Sequence, residues 1–283
     1  MAKHYEDPHA QDPLDARSLF GVEGKIAVVT GGSRGIGLMM ARGLVANGGK
    51  VYLCSRKADA CEAAAQELNE RFGEGRAVAL PGDLSSLEGV EAFVEAFGQR
   101  EDCLHILVNN AGATFGAPFE EYPDAAWEKV MNLNVRHVFN LTRLLQPQLR
   151  AAAVQGDPAR VVNIASVDGI RATQTAGPAA AFAYTTSKGA LVHMTKALCR
   201  ALSPHQITVN CIAPGIFPSQ MTHFMLKNEK VRSTIEGNNP LGRNGRTPDV
   251  AATLLYLVSL GGAYTNGAII PLDGGAHLCR EPF

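Results

Sequence analysis

The sequence carries no excess of basic charge. Its 26 Lys and Arg stand against 27 Asp and Glu, for a formal net charge of −1, so nothing drives binding to a phosphate backbone and a nucleic-acid partner is disfavoured. No apolar run approaches the roughly 20 residues that cross a bilayer, and no membrane role is expected. The first stretch, "MAKHYEDPHAQDPLDARS", has no apolar segment of the secretory kind and is acidic for a transit peptide. Residues 1–20 are expected to be a flexible extension or a partner-contacting arm. Six cysteines (Cys54, Cys61, Cys103, Cys199, Cys211, Cys279) are scattered, with no CxxC and no Cys/His cluster. Zinc-ligand spacing is therefore absent and no metal is expected. Reduced thiols in a cytoplasmic protein are the plain reading. Linker-like composition shifts and internal repeats are also missing, which favours one domain.

What is present is alternation. With 283 residues and 46% hydrophobic content the chain can bury a large core. Short apolar runs at 25–30, 50–56, 76–84, 104–112, 159–166, 207–215 and 267–275 are separated by helical patterns at 35–49, 59–73, 87–100, 124–153 (broken near Pro147), 184–203 and 247–259. In the last helix Thr247 reads as N-cap and Pro248 as the first helical residue. Continuously apolar strands are buried on both faces, so helices must cover both. The expected fold is α/β, a doubly wound parallel sheet of about seven strands in a single domain.

Between the first strand and helix lies "VVTGGSRGIG". Gly31, Gly35 and Gly37 permit a sharp turn and a close approach of backbone to an anion, and the helix N-terminus offers free N–H groups. A glycine cluster alone is equally a plain turn, but its place at the head of an alternating pattern favours dinucleotide binding. The second strand lacks the acid that usually holds a ribose 2′-hydroxyl in NAD sites. It ends instead in Ser55, Arg56 and Lys57, and Arg34 lies inside the glycine loop. Two guanidiniums fit a 2′-phosphate, so NADP(H) is the expected cofactor. Polar or small residues also close four other strands: Asp83, placed to accept the adenine amino group; the "NNAG" of residues 109–112; Ser166; and Pro214–Gly215. Each alone is ordinary turn chemistry; together, at the strand ends where ligands bind in open α/β sheets, they mark a site.

Tyr184 and Lys188 are four residues apart and share a helix face. A free tyrosine has a pKa near ~10. A neighbouring ammonium would lower it and equip the phenol for proton exchange with a carbonyl or alcohol oxygen. Ser166 could polarise that oxygen.

These segments resemble the short-chain dehydrogenase/reductase family. "TGGSRGIG" (30–37), "GDL" (82–84), "NNAG", Asn134 in "LNV", "IAS" ending at Ser166, "YTTSK" (184–188), "PG" (214–215) and "DGG" (273–275) occur in the family's order from residue 21 to about 278. The resemblance implies a Rossmann-type domain over 21–283 and a catalytic tetrad of Asn134, Ser166, Tyr184 and Lys188. In that tetrad Lys188 also binds ribose and Asn134 supports a proton relay through a water. It implies cofactor contacts from Gly31, Ser33, Arg34, Gly35, Ile36, Gly37, Ser55, Arg56, Lys57, Asp83, Leu84, Asn110, Ala111, Gly112, Tyr184, Lys188, Pro214, Gly215, Ile216 and Ser219.

Within the family the chain looks most like 3-oxoacyl-carrier-protein reductases, particularly the NADPH-dependent β-ketoacyl reductase type associated with rhamnolipid synthesis. The implied function is reduction of a ketone or 3-oxoacyl substrate with Tyr184 as general acid. Secondary alcohol oxidation and a non-catalytic NADP-binding regulator are the rival readings. A homotetramer built on helices near 124–150 and 184–203 and on the last strand is expected by resemblance.

Ser166 and Tyr184 are 18 positions apart, more than in many relatives, and the extra residues fall in "RATQTAGPAAAF" beside the substrate mouth. Residues 216–243, with Phe217, Met221, Phe224, Met225 and Leu226, read as either a substrate lid or a surface helical hairpin. Phe115, Phe119, Ile170 and Phe182 are candidate pocket residues. His137, His193 and His277 are expected to pack rather than to catalyse.

Overall fold

Seven short runs rich in β-branched residues become seven strands, and the amphipathic stretches between them become the helices that cover the sheet. The computed structural model describes residues 12, 14–172, 177, 179–220 and 222–279. Met221, the side chain of Phe224, and residues 173–176 and 178 of the widened segment lie outside the described residues, as do residues 1–11 of the N-terminal extension. In chain order the elements are α1 (Ala16–Phe20), β1 (Ile26–Thr30), α2 (Gly35–Ala46), β2 (Lys50–Cys54), α3 (Ala58–Phe72), β3 (Ala77–Ala79), α4 (Leu87–Gly98) and β4 (Ile106–Asn109). There follow α5 (Asp124–Met131), α6 (His137–Leu144), α7 (Gln146–Ala152), β5 (Ala159–Ile164), α8 (Phe182–Leu202) and β6 (Ile207–Pro214). The chain closes with α9 (His223–Leu226), α10 (Glu229–Gly237), α11 (Thr247–Val258) and β7 (Ile269–Leu272).

The strands form one parallel sheet in the order β3-β2-β1-β4-β5-β6-β7. The order reverses between β1 and β4, which opens a crevice at their carboxyl ends. Strand residues alternate between two cores, as the period of two requires. Ala27, Val29, Ile106, Val108, Val162 and Ile164 face α2, α3 and α11. Val28, Leu107 and Val161 face α4, α6, α7 and the end of α8. This two-sided burial is why the strands are apolar throughout, and the doubly wound parallel sheet expected from the sequence is the fold found.

Four local details differ from expectation. Residues 16–20, counted with the flexible extension, form α1, whose N-terminus is capped by the Asp15 carboxylate accepting from the N–H groups of Arg17 and Ser18. The long helical stretch breaks twice. A π turn spans Asn132–Arg136, and α7 then begins at Gln146 with Pro147 in its first turn, where the missing N–H costs nothing. Thr247 is the first helical residue of α11 rather than its cap. Arg246 holds the cap position, and its N–H donates to the Asp249 carboxylate at 2.8 Å. Phe217, grouped with a substrate lid on sequence, is only 2% exposed and belongs to the core against α2 and α11. Gly245 makes room for its ring, since a Cβ there would stand 2.3 Å from Phe217.

The glycine helix α2 lies against α11 at Gly43, where a Cβ would come within 2.7 Å of the Ala251 Cβ. Replacing Gly43 by Val must push these helices apart. A stability loss of about 1–3 kcal/mol is expected from overpacking, measured as a lower urea midpoint at unchanged m-value.

Candidate active site

The glycine turn after β1 is built by contacts that leave no room for side chains. Gly31 (φ +64°) and Gly35 (φ +55°) adopt left-handed conformations. At Gly37 a Cβ would stand 2.2 Å from the Gly31 carbonyl oxygen and 2.6 Å from Asn110 Nδ2. The Gly31 and Gly32 N–H groups donate to the Cys54 carbonyl at the end of β2, at 2.7 and 3.3 Å. That anchorage brings the loop carrying Ser33 and Arg34 to the same edge as Ser55, Arg56 and Lys57. Arg34, Arg56 and Lys57 are exposed, and Arg34 Nη1 donates to Gln220 Oε1 in the segment after β6. Ser55 Oγ is 3.0 Å from Cys61 Sγ, so its hydroxyl has a partner within α3. The cradle, the start of the 12-residue α2 and the adjacent cations suit a phosphate-bearing dinucleotide.

Thr30 closes the cradle from below. Its Oγ1 accepts the N–H groups of Asn110 (2.8 Å) and Ala111 (2.9 Å), and Asn110 Nδ2 donates to the Thr30 carbonyl at 2.8 Å. The "NNAG" turn thus lies flat against the end of β1, with Gly112 exposed. Asp83 is also exposed and accepts the Ser85 N–H at 3.0 Å, whereas the Leu84 side chain is buried in the core, so a ligand contact there would have to be through its backbone. On the far side Gly215 abuts Asp273 (a Cβ would be 2.7 Å from Asp273 Cβ), Pro214 is buried at the end of β6, and Ser219 lies within 3.2 Å of where a Gly35 Cβ would be. The Ile216 carbonyl accepts the Gly245 N–H at 2.9 Å.

Tyr184, Ser166 and Lys188 meet beyond this crevice. The buried face of α8 includes Ala183, Ser187, Lys188, Leu191, Thr195, Leu198 and Leu202, a helical stripe on which Lys188 is an inward residue. Its Nζ is 5% exposed at the residue level, donates to the Ile164 carbonyl at 2.7 Å, and lies 5.6 Å from the Tyr184 ring centroid. Burial lowers its pKa to about 8. Tyr184 moves the other way: burial raises its phenol to about 12, a hydrogen bond with Ser166 opposes this, and the charge of Asp168 adds to the rise. The lowering expected from the lysine does not prevail, because desolvation penalises the phenolate more than any neighbour stabilises it.

Asn134 lies in the π turn, the kind of one-residue insertion often found at functional sites, and is 1% exposed. Its Nδ2 donates to the Ala113 carbonyl and to Ser187 Oγ, both at 2.9 Å, and its Oδ1 accepts the Ala113 N–H at 2.8 Å. The Ser187 hydroxyl donates to the Tyr184 carbonyl at 2.7 Å. Asn134 therefore clips the loop after β4 to the first turns of α8.

Several residues have roles that the sequence did not reveal, Asn109 of the "NNAG" turn among them. Asn109 Nδ2 donates to Asn163 Oδ1 (2.9 Å) and Thr142 Oγ1 (3.2 Å), and Asn163 Nδ2 to Thr195 Oγ1 (3.0 Å). This buried polar ladder ties β4 and β5 to α6 and α8; alternating polar residues inside apolar strands were its only sequence signal. Tyr122 accepts the Ala183 N–H at 3.1 Å and donates to the Phe115 carbonyl at 3.1 Å, capping α8 where no residue of its own does. Its ring packs edge-on to Phe115 and Phe182, and Phe182 to Phe119. Phe119 and Ile170 remain exposed. Of the histidines, His137 is buried, His193 is exposed, and His277 is held by Asp273 at 2.8 Å. Among the described residues no His, Cys, Asp and Glu cluster could hold a metal ion, and no helix is long and apolar enough to cross a membrane.

Residues 25–230 match the family model described as short chain dehydrogenase. The chain belongs to the short-chain dehydrogenase family. It is thereby an oxidoreductase. This short-chain dehydrogenase is 44% identical over 259 residues to the rhamnolipids biosynthesis 3-oxoacyl-[acyl-carrier-protein] reductase of Pseudomonas aeruginosa, covering 92% of this chain and 98% of that one. It is 35% identical over 262 residues to the L-tagatose-forming galactitol 2-dehydrogenase of Cereibacter sphaeroides, covering 93% and 98%. Among solved structures it is similar to the Pseudomonas aeruginosa RhlG/NADP active-site complex, with a TM-score of 0.87, 44% identity, and coverage of 92% of this chain and 99% of that one.

Proposed function

We propose that this chain is an NADPH-dependent reductase of ketones, with 3-oxoacyl thioesters as the substrate class. The observation that carries the reading is the meeting of Tyr184, Ser166 and Lys188 past the carboxyl end of β5, on the same side of the sheet as the glycine cradle after β1. The 3-oxoacyl reductase, 44% identical along nearly its whole length, supports the substrate class, and the NADP complex at the same identity supports the cofactor.

When bound, NADPH supplies the hydride. Gly31, Ser33, Gly35, Ile36 and Gly37 would receive its pyrophosphate at the α2 N-terminus, and Arg34, Ser55, Arg56 and Lys57 the 2′-phosphate. Asp83, Leu84 and the Asn110–Gly112 backbone would line the adenosine and ribose side, and Pro214, Gly215, Ile216 and Ser219 the nicotinamide side. Tyr184 donates its proton to the carbonyl oxygen. A phenol raised to about 12 is protonated at neutral pH, the form that donates a proton in reduction. The Ser166 hydroxyl, which donates to Asp168 in the structure, would turn to donate to the same oxygen when a ketone is bound. Lys188, at about 8, stays mostly cationic at pH 7 beneath the ring and is in place to hold the ribose. Asn134 keeps α8 and the loop after β4 in register.

The segment 216–243 acts as a lid hinged on buried Phe217. Within the segment, Pro218, Ser219, His223, Leu226 and Lys227 line a cavity of about 180 Å³. Phe115, Phe119, Ile170 and Phe182 offer apolar surface to an acyl chain. Six free thiols suit a cytoplasmic location. The apolar yet only half-buried Ile269, Ile270 and Leu272 on edge strand β7, together with exposed Phe139 on α6, suit a homotetramer. Residues 1–15 remain a candidate partner-contacting arm.

The arginine pair gives the test. Replacing Arg34 and Arg56 together by Ala should lower kcat/KM for NADPH by roughly 10- to 100-fold, the worth of charge-assisted hydrogen bonds, and leave that for NADH unchanged. An equal loss with both cofactors would remove the assignment of these residues to the 2′-phosphate.

A further inference from the structure

Ser166 sits at the mouth of a short 3-10 turn, Val167–Gly169, and shares its hydrogen bonds with the acid of that turn. The Asp168 N–H donates to Ser166 Oγ at 3.2 Å, and the Ser166 hydroxyl donates back to Asp168 Oδ2 at 3.3 Å. Asp168 is only 7% exposed, so its carboxylate sits inside the protein beside the reacting groups and is poorly screened. The turn lies directly on α8: a Cβ at Gly169 would stand 2.5 Å from the Lys188 carbonyl carbon and 2.9 Å from the Gly189 nitrogen. No step of the mechanism described above uses this acid.

We propose that Asp168 is a positioning residue for the reduction, holding the Ser166 hydroxyl and placing a fixed negative charge against the Tyr184–Lys188 pair. The inference rests on the tetrad reading of the site. A negative charge beside the pair disfavours the phenolate and favours the ammonium. Both groups feel Asp168 in that sense: it adds to the rise at Tyr184 and offsets part of the fall at Lys188. The pair is thereby kept as phenol and ammonium, ready to donate. The ionisable groups that feel this charge include Tyr184 and Lys188 from α8. Behind Lys188 on β6 is Cys211, whose thiol burial pushes up to about 11 and so keeps neutral at working pH. Arg171, three residues along, donates to the carbonyls of His277 and Cys279.

The test is an ultraviolet difference titration of tyrosinate in the chain without cofactor or ketone, with Tyr184→Phe as the blank that isolates Tyr184. In Asp168→Asn the Tyr184 midpoint should fall by about one pH unit or more, the usual effect of an adjacent charge. In Asp168→Glu, which keeps the charge, it should stay close to that of the unsubstituted chain. The alkaline limb of kcat/KM for ketone reduction, set by loss of a proton from the Tyr184–Lys188 pair, should move to lower pH in the asparagine variant only. An unmoved midpoint in Asp168→Asn overturns the proposal, and so does an equal fall in both variants, which would mark a packing effect. Asp168→Ser replaces the asparagine variant if that chain does not fold. Because the titration needs no turnover, failure of the unsubstituted chain to reduce any ketone would remove the proposed function and leave this reading to stand or fall on its own.

Discussion

Tyr184→Phe should lower kcat by about 10²- to 10⁴-fold, the usual contribution of a positioned general acid, with NADPH affinity unchanged. The structure explains why the two effects separate. The phenol hydroxyl engages only the catalytic side, through Ser166. The backbone around it is held by other atoms: the Tyr184 carbonyl by Ser187, and the Ala183 N–H by Tyr122. Ser166 itself keeps its bonds to Asp168 when the tyrosine oxygen is removed. The ring, and with it the surface over Lys188, remains. Steady-state kinetics with a 3-oxoacyl thioester, alongside NADPH binding followed by fluorescence, checks both halves. Near-normal turnover would remove Tyr184 from its role. Loss of NADPH binding together with kcat would show that the hydroxyl serves the fold or the cofactor rather than the proton transfer.

Gly37→Ala should abolish high-affinity NADPH binding while the sheet persists. The added methyl would lie 2.2 Å from the Gly31 carbonyl oxygen and 2.6 Å from Asn110 Nδ2. Neither neighbour can give way easily. Gly31 is tied through its N–H to Cys54, and Asn110 is tied through its side chain to the Thr30 carbonyl. The loop must open, and the N–H groups at the start of α2 lose their aim. A rise in Kd of at least about 100-fold is expected, equivalent to roughly 3 kcal/mol, read by isothermal titration with far-UV circular dichroism as the check on folding. Gly156→Ala makes a useful control. That glycine also has a positive φ, of 90°, but no atom lies within 4 Å of its Cβ position. It should cost a little stability through its backbone conformation and leave NADPH affinity as it was.

How much of this was legible in the sequence follows from the kind of signal each feature leaves. The sheet was legible because every strand is apolar on both faces, and only a sheet covered on both sides demands that. The crevice was legible because glycine, asparagine and serine stand where the apolar runs stop. Tyr184 and Lys188 could be paired from helical spacing alone, and Lys188 falls on the stripe that faces the core. Other features depend on contacts between distant segments. The π turn at Asn132–Arg136 leaves no distinct mark in the helical spacing; within it Asn134 is drawn inward to Ala113 and Ser187. Phe217 could be a lid residue or a packing residue on sequence; it is buried, and Gly245, 28 positions away, leaves space for its ring. Tyr122 was one aromatic in a loop until the fold set it against the N-terminus of α8. The protonation of the site likewise depends on packing as well as on spacing. Spacing reveals that an ammonium stands near a phenol, but not that Lys188 is buried and Tyr184 half-buried, and burial is the largest cause of both shifts.

The acid two residues after Ser166 carries no meaning in the sequence by itself. An aspartate after a strand end is common turn chemistry. Its interest comes from being buried against α8, and that required the packing of the Val167–Gly169 turn on Lys188.

The central claim is that Tyr184, Ser166 and Lys188 reduce a ketone with a cofactor selected by Arg34 and Arg56. The most direct measurement is the fall in absorbance at ~340 nm when the chain meets a 3-oxoacyl thioester with NADPH and, separately, with NADH, at neutral pH where the phenol keeps its proton. The expected result is turnover with a kcat/KM for NADPH well above that for NADH. No consumption of either nucleotide across 3-oxoacyl thioesters, β-ketoesters and simple ketones, or a preference for NADH, would contradict the account.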